Sequence, residues 1–161
     1  MKHLYAPWRS NYVTNNSENK ECVFCLPAQT ENDGHKFIIK RFNHCFVMLN
    51  LYPYNPGHLL VVPYEHTHSL TTLQPATRHE IIDVIAQSMT ILEKIINAQG
   101  INVGANIGGQ AAGGSIPDHV HMHVLPRFLG DTNFLVTLAD TKQISANLAQ
   151  IYTKLSTAFN E

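Results

Sequence analysis

The segment at 118–127, DHVHMHVLPR, constrains the fold more than any other part of the chain. In it His119, His121 and His123 alternate with valine and methionine, and strict alternation predicts a β-strand across 119–125. Side chains two residues apart on a strand share one face, so the three imidazoles line one face while the apolar side chains enter the core. Neighbouring imidazoles then lie about 6.5–7 Å apart. A substrate, a cofactor or another side chain fits between them.

The other apolar segments predict four more strands and two helices. Short runs rich in β-branched and aromatic residues predict strands at 35–40, 44–50, 58–63 and 101–107. Apolar residues spaced three or four apart predict a long helix over 78–99 and a last helix from about 142 to 159. Most strand connections are too short for a parallel crossover. The sequence therefore predicts an α+β domain in which both helices pack on a five-stranded antiparallel sheet.

The ends of the long helix carry their own signals. Thr77 and Glu80 form a capping-box pattern at its start. Gly100 suits the position just after the last turn. These residues predict a helix that begins near 78 and ends near 99.

Composition limits the classes of partner. With 161 residues, 44% of them hydrophobic and 14% charged, the chain is predicted to form one globular domain, 1–161, with an N-terminal extension at 1–35. A net charge of −1 gives no electrostatic case for nucleic acid or an anionic membrane. The sequence contains no run of about 18 apolar residues, so it predicts no membrane span. The N-terminus lacks the apolar region of a signal peptide. We therefore expect a cytoplasmic protein.

The row of histidines has three competing interpretations. The first is a polar face of a sheet, and the second is a metal site that uses two or three imidazoles. The third is a catalytic site in which one histidine is the nucleophile. A histidine with a pKa of about 6.5 is mostly uncharged at neutral pH and attacks phosphorus well in that form. A merely polar face is served equally by lysine, threonine or glutamate, and it leaves the glycine-rich loop before the row without a purpose.

That loop, NIGGQAAGGS at 106–115, leads directly into the histidine segment. Glycines allow backbone N–H groups to approach an anion closely. Ser115 adds a hydroxyl and Asn106 adds an amide. Together with a nucleophilic histidine, the loop predicts a binding site for phosphate.

Cys22 and Cys25 form a Cys-x-x-Cys pair in the N-terminal extension. A disulfide framework is not expected in a reducing compartment. The spacing indicates metal binding or redox chemistry instead.

With these residues identified, the sequence resembles the histidine triad (HIT) superfamily, whose signature His-φ-His-φ-His-φ-φ is matched by HVHMHVL at 119–125. The resemblance covers about residues 4–142. Further segments are similar to the branch that contains bacterial diadenosine tetraphosphate phosphorylases and fragile-histidine-triad-like proteins: LYAPWR at 4–9, CVFC at 22–25, LNLYPYNPGHLLVVPYEH at 49–66 and PRFLGDTNF at 126–134.

The resemblance implies a role for each matching residue at a nucleotide site. His121 is the expected nucleophile, and His123 and His58 are expected to assist at the phosphate and the leaving group. Asn50 is expected to bind the ribose hydroxyls. The residues expected to contact phosphate are Asn106, Gly114 and Ser115.

The resemblance also implies a structural zinc ion. Its expected ligands are Cys22, Cys25, His66 and His119, with His68 as a substitute for His66. A set of two sulfurs and two nitrogens suits tetrahedral zinc. It leaves His121 free for catalysis.

The implied activity is that of a nucleotide hydrolase or transferase. It attacks the α-phosphate of a dinucleoside polyphosphate, such as diadenosine tetraphosphate, and passes through a nucleotidyl-histidine intermediate. The alternatives are an adenosine 5′-monophosphoramidase, a nucleotide-binding sensor with little turnover, and a redox protein that uses the cysteine pair. A homodimer is implied as well.

Overall fold

The protein is described by a computed structural model over residues 22–25, 32–112, 116–131 and 147–161. A turn of 3₁₀-helix lies at Gly109–Ala111. The helices and strands, in chain order, are α1 (Asp33–Lys36), β1 (Ile38–Arg41), β2 (Cys45–Leu49), β3 (Leu59–Pro63), α2 (Pro75–Ile96), β4 (Gly100–Gly104), β5 (Met122–Arg127) and α3 (Leu148–Asn160).

The five strands form one sheet in the order β1-β2-β3-β5-β4, and every neighbouring pair is antiparallel. Together with α2 and α3, this sheet confirms the predicted α+β architecture. Residues 142–146, where the last helix was expected to begin, lie outside the described residues, and α3 begins after Asn147, whose side chain accepts a hydrogen bond from the Gln150 N–H. Among the described residues, no helix combines the length and the apolar character that crossing a membrane requires.

The two faces of the sheet are covered differently. Side chains of β2 and β3 alternate between the faces, and both faces are buried. The helices cover one face, with a core that includes Val47, Leu49, Leu59, Val61, Leu92, Leu155 and Phe159. The opposite face carries a second cluster: Phe24, Ile38, Phe46, Met48, Leu60 and Val62.

The histidine row meets the sheet at this second cluster. β5 begins at Met122, so two of the three histidines precede the strand rather than lying within it as predicted. The pairing stops because Pro63, the last residue of β3, has no N–H to donate, and its carbonyl already contacts Nε2 of His119 at 3.0 Å. The Val120 N–H donates instead to the Thr67 carbonyl at 2.6 Å. His123 lies opposite Leu60 in the ladder, which places its side chain on the face of the second cluster.

The long helix α2 begins earlier than predicted, at Pro75, with Gln74 as its N-cap. Proline suits the first turn because its missing N–H would have no partner there. The capping-box prediction is wrong, since the Thr77 hydroxyl donates to Glu65 at 2.6 Å. The helix ends at Ile96, and Asn97 rather than a glycine takes the left-handed conformation after it.

Glu80 has a different partner from the one its position suggests. Its carboxylate accepts the backbone N–H groups of Asn43, His44 and Cys45 at 3.2, 2.6 and 3.1 Å. It therefore fixes the turn between β1 and β2 onto α2.

We expect Glu80→Ala to lower the free energy of unfolding by about 1–2 kcal/mol, because three N–H groups lose a charged acceptor. For a chain of this size, that corresponds to a fall in Tm of about 3–6 °C. Thermal unfolding followed by circular dichroism measures the change. Glu93→Ala, an exposed glutamate on the same helix, is the matched control, and equal Tm values for the two variants would contradict the assigned role.

Candidate active site and metal cluster

His58 and His123 form the buried centre of the site. His58 closes the loop between β2 and β3, and its ring is fully buried. Its Nε2 lies 2.9 Å from Nδ1 of His123 on β5. Because β3 and β5 are neighbours in the sheet, the fold brings together two histidines that are 65 residues apart.

The backbone fixes the proton on each of these rings. The Tyr54 N–H donates to Nδ1 of His58 at 3.2 Å, so that nitrogen carries a lone pair. The neutral ring then has its proton on Nε2 and donates it to Nδ1 of His123. His123 in turn carries its own proton on Nε2. The pair therefore presents an N–H donor at its far end.

His121 has the opposite tautomer. Its Nδ1 lies 2.9 Å from the carbonyl oxygen of His119, and a carbonyl only accepts. Nδ1 therefore carries the proton, and Nε2 keeps its lone pair. The centroid of the His121 ring lies 4.9 Å from that of His123. The neighbouring rings thus combine an unprotonated nitrogen on His121 with an N–H donor on His123.

Burial keeps these rings uncharged. It lowers the pKa of His58 to about 3, with a further effect from the neighbouring His123 and His121 rings. Burial beside His121 lowers the pKa of His123 to about 4. Burial also lowers the pKa of His121, although the hydrogen bond to the His119 carbonyl opposes this. At neutral pH the site therefore holds imidazoles and not imidazolium ions.

Cys22, Cys25, His66 and His119 converge beside this site. One ligand atom from each lies within 4.8 Å of every other. Cys22 Sγ and Cys25 Sγ lie 3.3 and 3.7 Å from Nδ1 of His119. Nδ1 of His66 lies 3.3 Å from Cys25 Sγ and 3.3 Å from Nδ1 of His119.

These distances fit a tetrahedral metal ion. Zinc, about 2.3 Å from sulfur and about 2.0 Å from nitrogen, holds its ligand atoms about 3.3–3.8 Å apart. Nε2 of His119 lies 3.0 Å from the Pro63 carbonyl, which leaves Nδ1 unprotonated and directed at the cluster. A backbone partner on the second nitrogen is the usual arrangement for a metal-binding histidine. The four side chains can therefore bind a metal.

A family model described as the HIT domain matches residues 29–130. The chain belongs to the HIT family. It is 33% identical over 153 residues to the AP-4-A phosphorylase of Mycobacterium tuberculosis, a match that covers 89% of this chain and 77% of the relative.

The chain is also similar to a curated protein and to a solved structure. The bis(5'-nucleosyl)-tetraphosphatase [asymmetrical] of Schizosaccharomyces pombe is 33% identical over 106 residues, which covers 65% of this chain and 57% of that protein. The crystal structure of a Zn-bound histidine triad family protein from Mycobacterium smegmatis superposes with a TM-score of 0.68 at 25% identity, covering 87% of this chain and 94% of the other.

The remaining residues expected to bind nucleotide differ in how the HIT fold presents them. Asn50 uses both ends of its amide within the protein: Oδ1 accepts the Tyr52 N–H at 2.9 Å and Nδ2 lies 3.2 Å from Nδ1 of His58. The exposed Asn106 follows Gly104, which pairs with His123, so the glycine loop starts beside the histidines. Gly114 and Ser115 lie outside the described residues.

Two aromatic residues at the site were not anticipated in these roles. Phe24, which lies between the two cysteines in the sequence, is buried. Its ring centroid is 4.9 Å from that of His121 and 5.4 Å from that of His119. Tyr54 stacks on His123 with a centroid distance of 6.1 Å, and the residue is 49% exposed. The apolar residue inside CVFC was the only signal for Phe24. The signal for Tyr54 was its position in the loop before His58, which suggested a place near the base of a nucleotide but not the stacking on His123.

Proposed function

We propose that this HIT protein is an enzyme that cleaves dinucleoside polyphosphates at the α-phosphorus through a nucleotidyl group on His121. One observation carries the proposal: the His121 ring, whose Nε2 holds a lone pair, is the direct neighbour of the His123 ring, which presents the N–H donor of the His58–His123 pair. The relatives named AP-4-A phosphorylase and bis(5'-nucleosyl)-tetraphosphatase support this substrate class.

The first step joins Nε2 of His121 to phosphorus and breaks the bond to the leaving phosphate oxygen, which departs with the electron pair. The attacking ring becomes positively charged while it keeps its Nδ1 proton. The His119 carbonyl, 2.9 Å away, stabilises that charge. The Nε2–H of His123 donates a hydrogen bond to the leaving oxygen as negative charge develops there.

The second step breaks the phosphorus–nitrogen bond. Water attacks phosphorus and gives AMP, and its proton passes to solvent; inorganic phosphate as the acceptor gives ADP instead. The electron pair returns to Nε2 of His121. In this scheme Asn50 binds the ribose, while Asn106, Gly114 and Ser115 contact the phosphates.

We also propose that the cysteine–histidine cluster holds a structural zinc ion. The supporting observation is a set of ligand distances that matches the edges of a zinc tetrahedron. The zinc would tie residues 22–25 to the segment before β5, and the four protein ligands would leave no coordination position for substrate. A homodimer and a cytoplasmic location stay predictions.

One experiment tests the enzymatic proposal. The protein is incubated with diadenosine tetraphosphate with and without inorganic phosphate, and the products are separated by ion-exchange chromatography. AMP and ATP without ADP identify a hydrolase, and phosphate-dependent ADP with ATP identifies a phosphorylase. No turnover of this or other dinucleoside polyphosphates under either condition would refute the proposal.

A further inference from the structure

The loop before β3, residues 51–57, must hold its backbone in place, because the Tyr54 N–H in it sets the tautomer of His58. Asn55 lies in this loop and is only 1% exposed. Its Nδ2 donates to the Pro126 carbonyl and to Oδ2 of Asp131, both at 2.8 Å. Both amide protons are therefore used. The main-chain carbonyl of Asn55 also accepts the backbone N–H of His58 at 3.2 Å.

Asp131 is itself held rigidly. Arg127 donates to it from Nε at 2.6 Å and from Nη2 at 2.9 Å, and the Phe128 N–H donates at 3.3 Å. Its side chain is 8% exposed. The Arg127 guanidinium also holds the pKa of the Asp131 carboxyl well below its usual range. The acceptor for the Asn55 amide is therefore a fixed carboxylate.

The anchor is built on the strand that carries His123. Arg127 is the last residue of β5, four residues beyond His123, and the Pro126 carbonyl belongs to the same strand. The Asn55 amide thus ties the His58 loop to β5 itself. Any shift of the loop along β5 moves the His58 ring relative to its partner ring.

We propose that Asn55 and Asp131 are positioning residues that align the His58–His123 pair with the leaving group. They fix the loop whose Tyr54 N–H holds the His58 ring, and His58 in turn orients His123. The inference rests on the proposed function. Neither residue contacts the reacting atoms in this scheme, so their effect is on geometry.

Aryl esters of AMP separate positioning from loss of folding, because the leaving group of a 2,4-dinitrophenyl ester needs little stabilisation and that of a phenyl ester needs much. We expect Asn55→Ala and Asp131→Asn to slow kcat on the phenyl ester about 10–100-fold, within the usual contribution of acid–base assistance. On the dinitrophenyl ester we expect less than about a threefold loss, with KM unchanged within about twofold on both esters.

Leu155→Ala is the matched control, since it opens a cavity in the core between α3 and the sheet and lowers stability without touching the loop. We expect it to change both esters by the same factor. Equal slowing of both esters by Asn55→Ala and by Asp131→Asn would overturn the proposal.

Imidazole ¹⁵N NMR gives a readout that does not depend on turnover. In the wild type, Nδ1 of His58 is expected to be unprotonated, and in Asn55→Ala the ring should exchange between tautomers. An unchanged His58 spectrum in both variants would also overturn the positioning role. Wild-type protein that turns over neither these esters nor a dinucleoside polyphosphate would refute the proposed function alone, and the NMR comparison would still decide the positioning role.

Discussion

His121→Ala is expected to reduce turnover of diadenosine tetraphosphate on the order of 10⁴-fold or more, because a covalent nucleophile cannot be replaced by its neighbours. His58 and His123 each use Nδ1 as an acceptor within the protein. Their Nε2 atoms carry protons and therefore have no lone pair with which to attack phosphorus. Nε2 of His119 bonds to the Pro63 carbonyl. The other three rings are therefore committed to different contacts.

Three measurements check this expectation. Steady-state kinetics gives the loss in kcat, and circular dichroism shows whether the variant folds. Mass spectrometry of acid-free, rapidly quenched wild-type protein should detect one adenylyl group, which the variant should lack. His79→Ala, an exposed histidine on α2, serves as the control and should turn over normally. A His121→Ala protein within tenfold of the wild type would contradict the mechanism.

Cys22→Ser combined with Cys25→Ser is expected to remove bound zinc and to lower Tm by about 10 °C. A ligand present at about a thousand times its Kd stabilises the folded state by about 4 kcal/mol, and each kcal/mol shifts Tm by about 2–4 °C in a chain of this size. Both faces of the sheet retain apolar cores without these sulfurs. We therefore expect a folded but less stable protein.

Elemental analysis and thermal unfolding, with and without a chelator, measure this effect. The wild type should contain one zinc per chain and lose stability when the chelator removes it, whereas the double variant should not respond. His68→Ala is the control, because His68 is a neighbouring exposed histidine outside the four-residue cluster. Wild-type protein that contains no zinc and whose Tm ignores both the chelator and the cysteine substitutions would contradict the metal assignment.

The architecture was predictable because it depends on local patterns. Alternation and short apolar runs located the strands, and short connections made the sheet antiparallel. Their limits were less predictable, since β5 starts late for a tertiary reason: Pro63 on the neighbouring strand cannot donate. The Thr77–Glu80 pattern misled for a similar reason, because Glu80 finds three N–H groups in a distant turn.

The residue types at the candidate site were also predictable, but their connections were not. The row of histidines and the cysteine pair were candidates in the sequence, and the fold brings them together. The tautomers of the histidines depend on contacts with backbone groups such as the Tyr54 N–H and the Pro63 carbonyl. Every sequence has such groups, so the sequence does not show which of them contact the rings. The contact between Asn55 and Asp131 joins residues 76 positions apart. Only the folded structure reveals that they meet.

His119 contacts both the cysteine–histidine cluster and His121, through its ring and its main chain respectively. Its ring belongs to the cysteine–histidine cluster, whereas its main-chain oxygen holds the His121 proton. Every amino acid supplies a main-chain oxygen, but very few supply an imidazole. A substitution of His119 would therefore remove one ligand of the proposed zinc site and keep the main-chain oxygen beside the proposed nucleophile, so the two features can vary independently in related proteins.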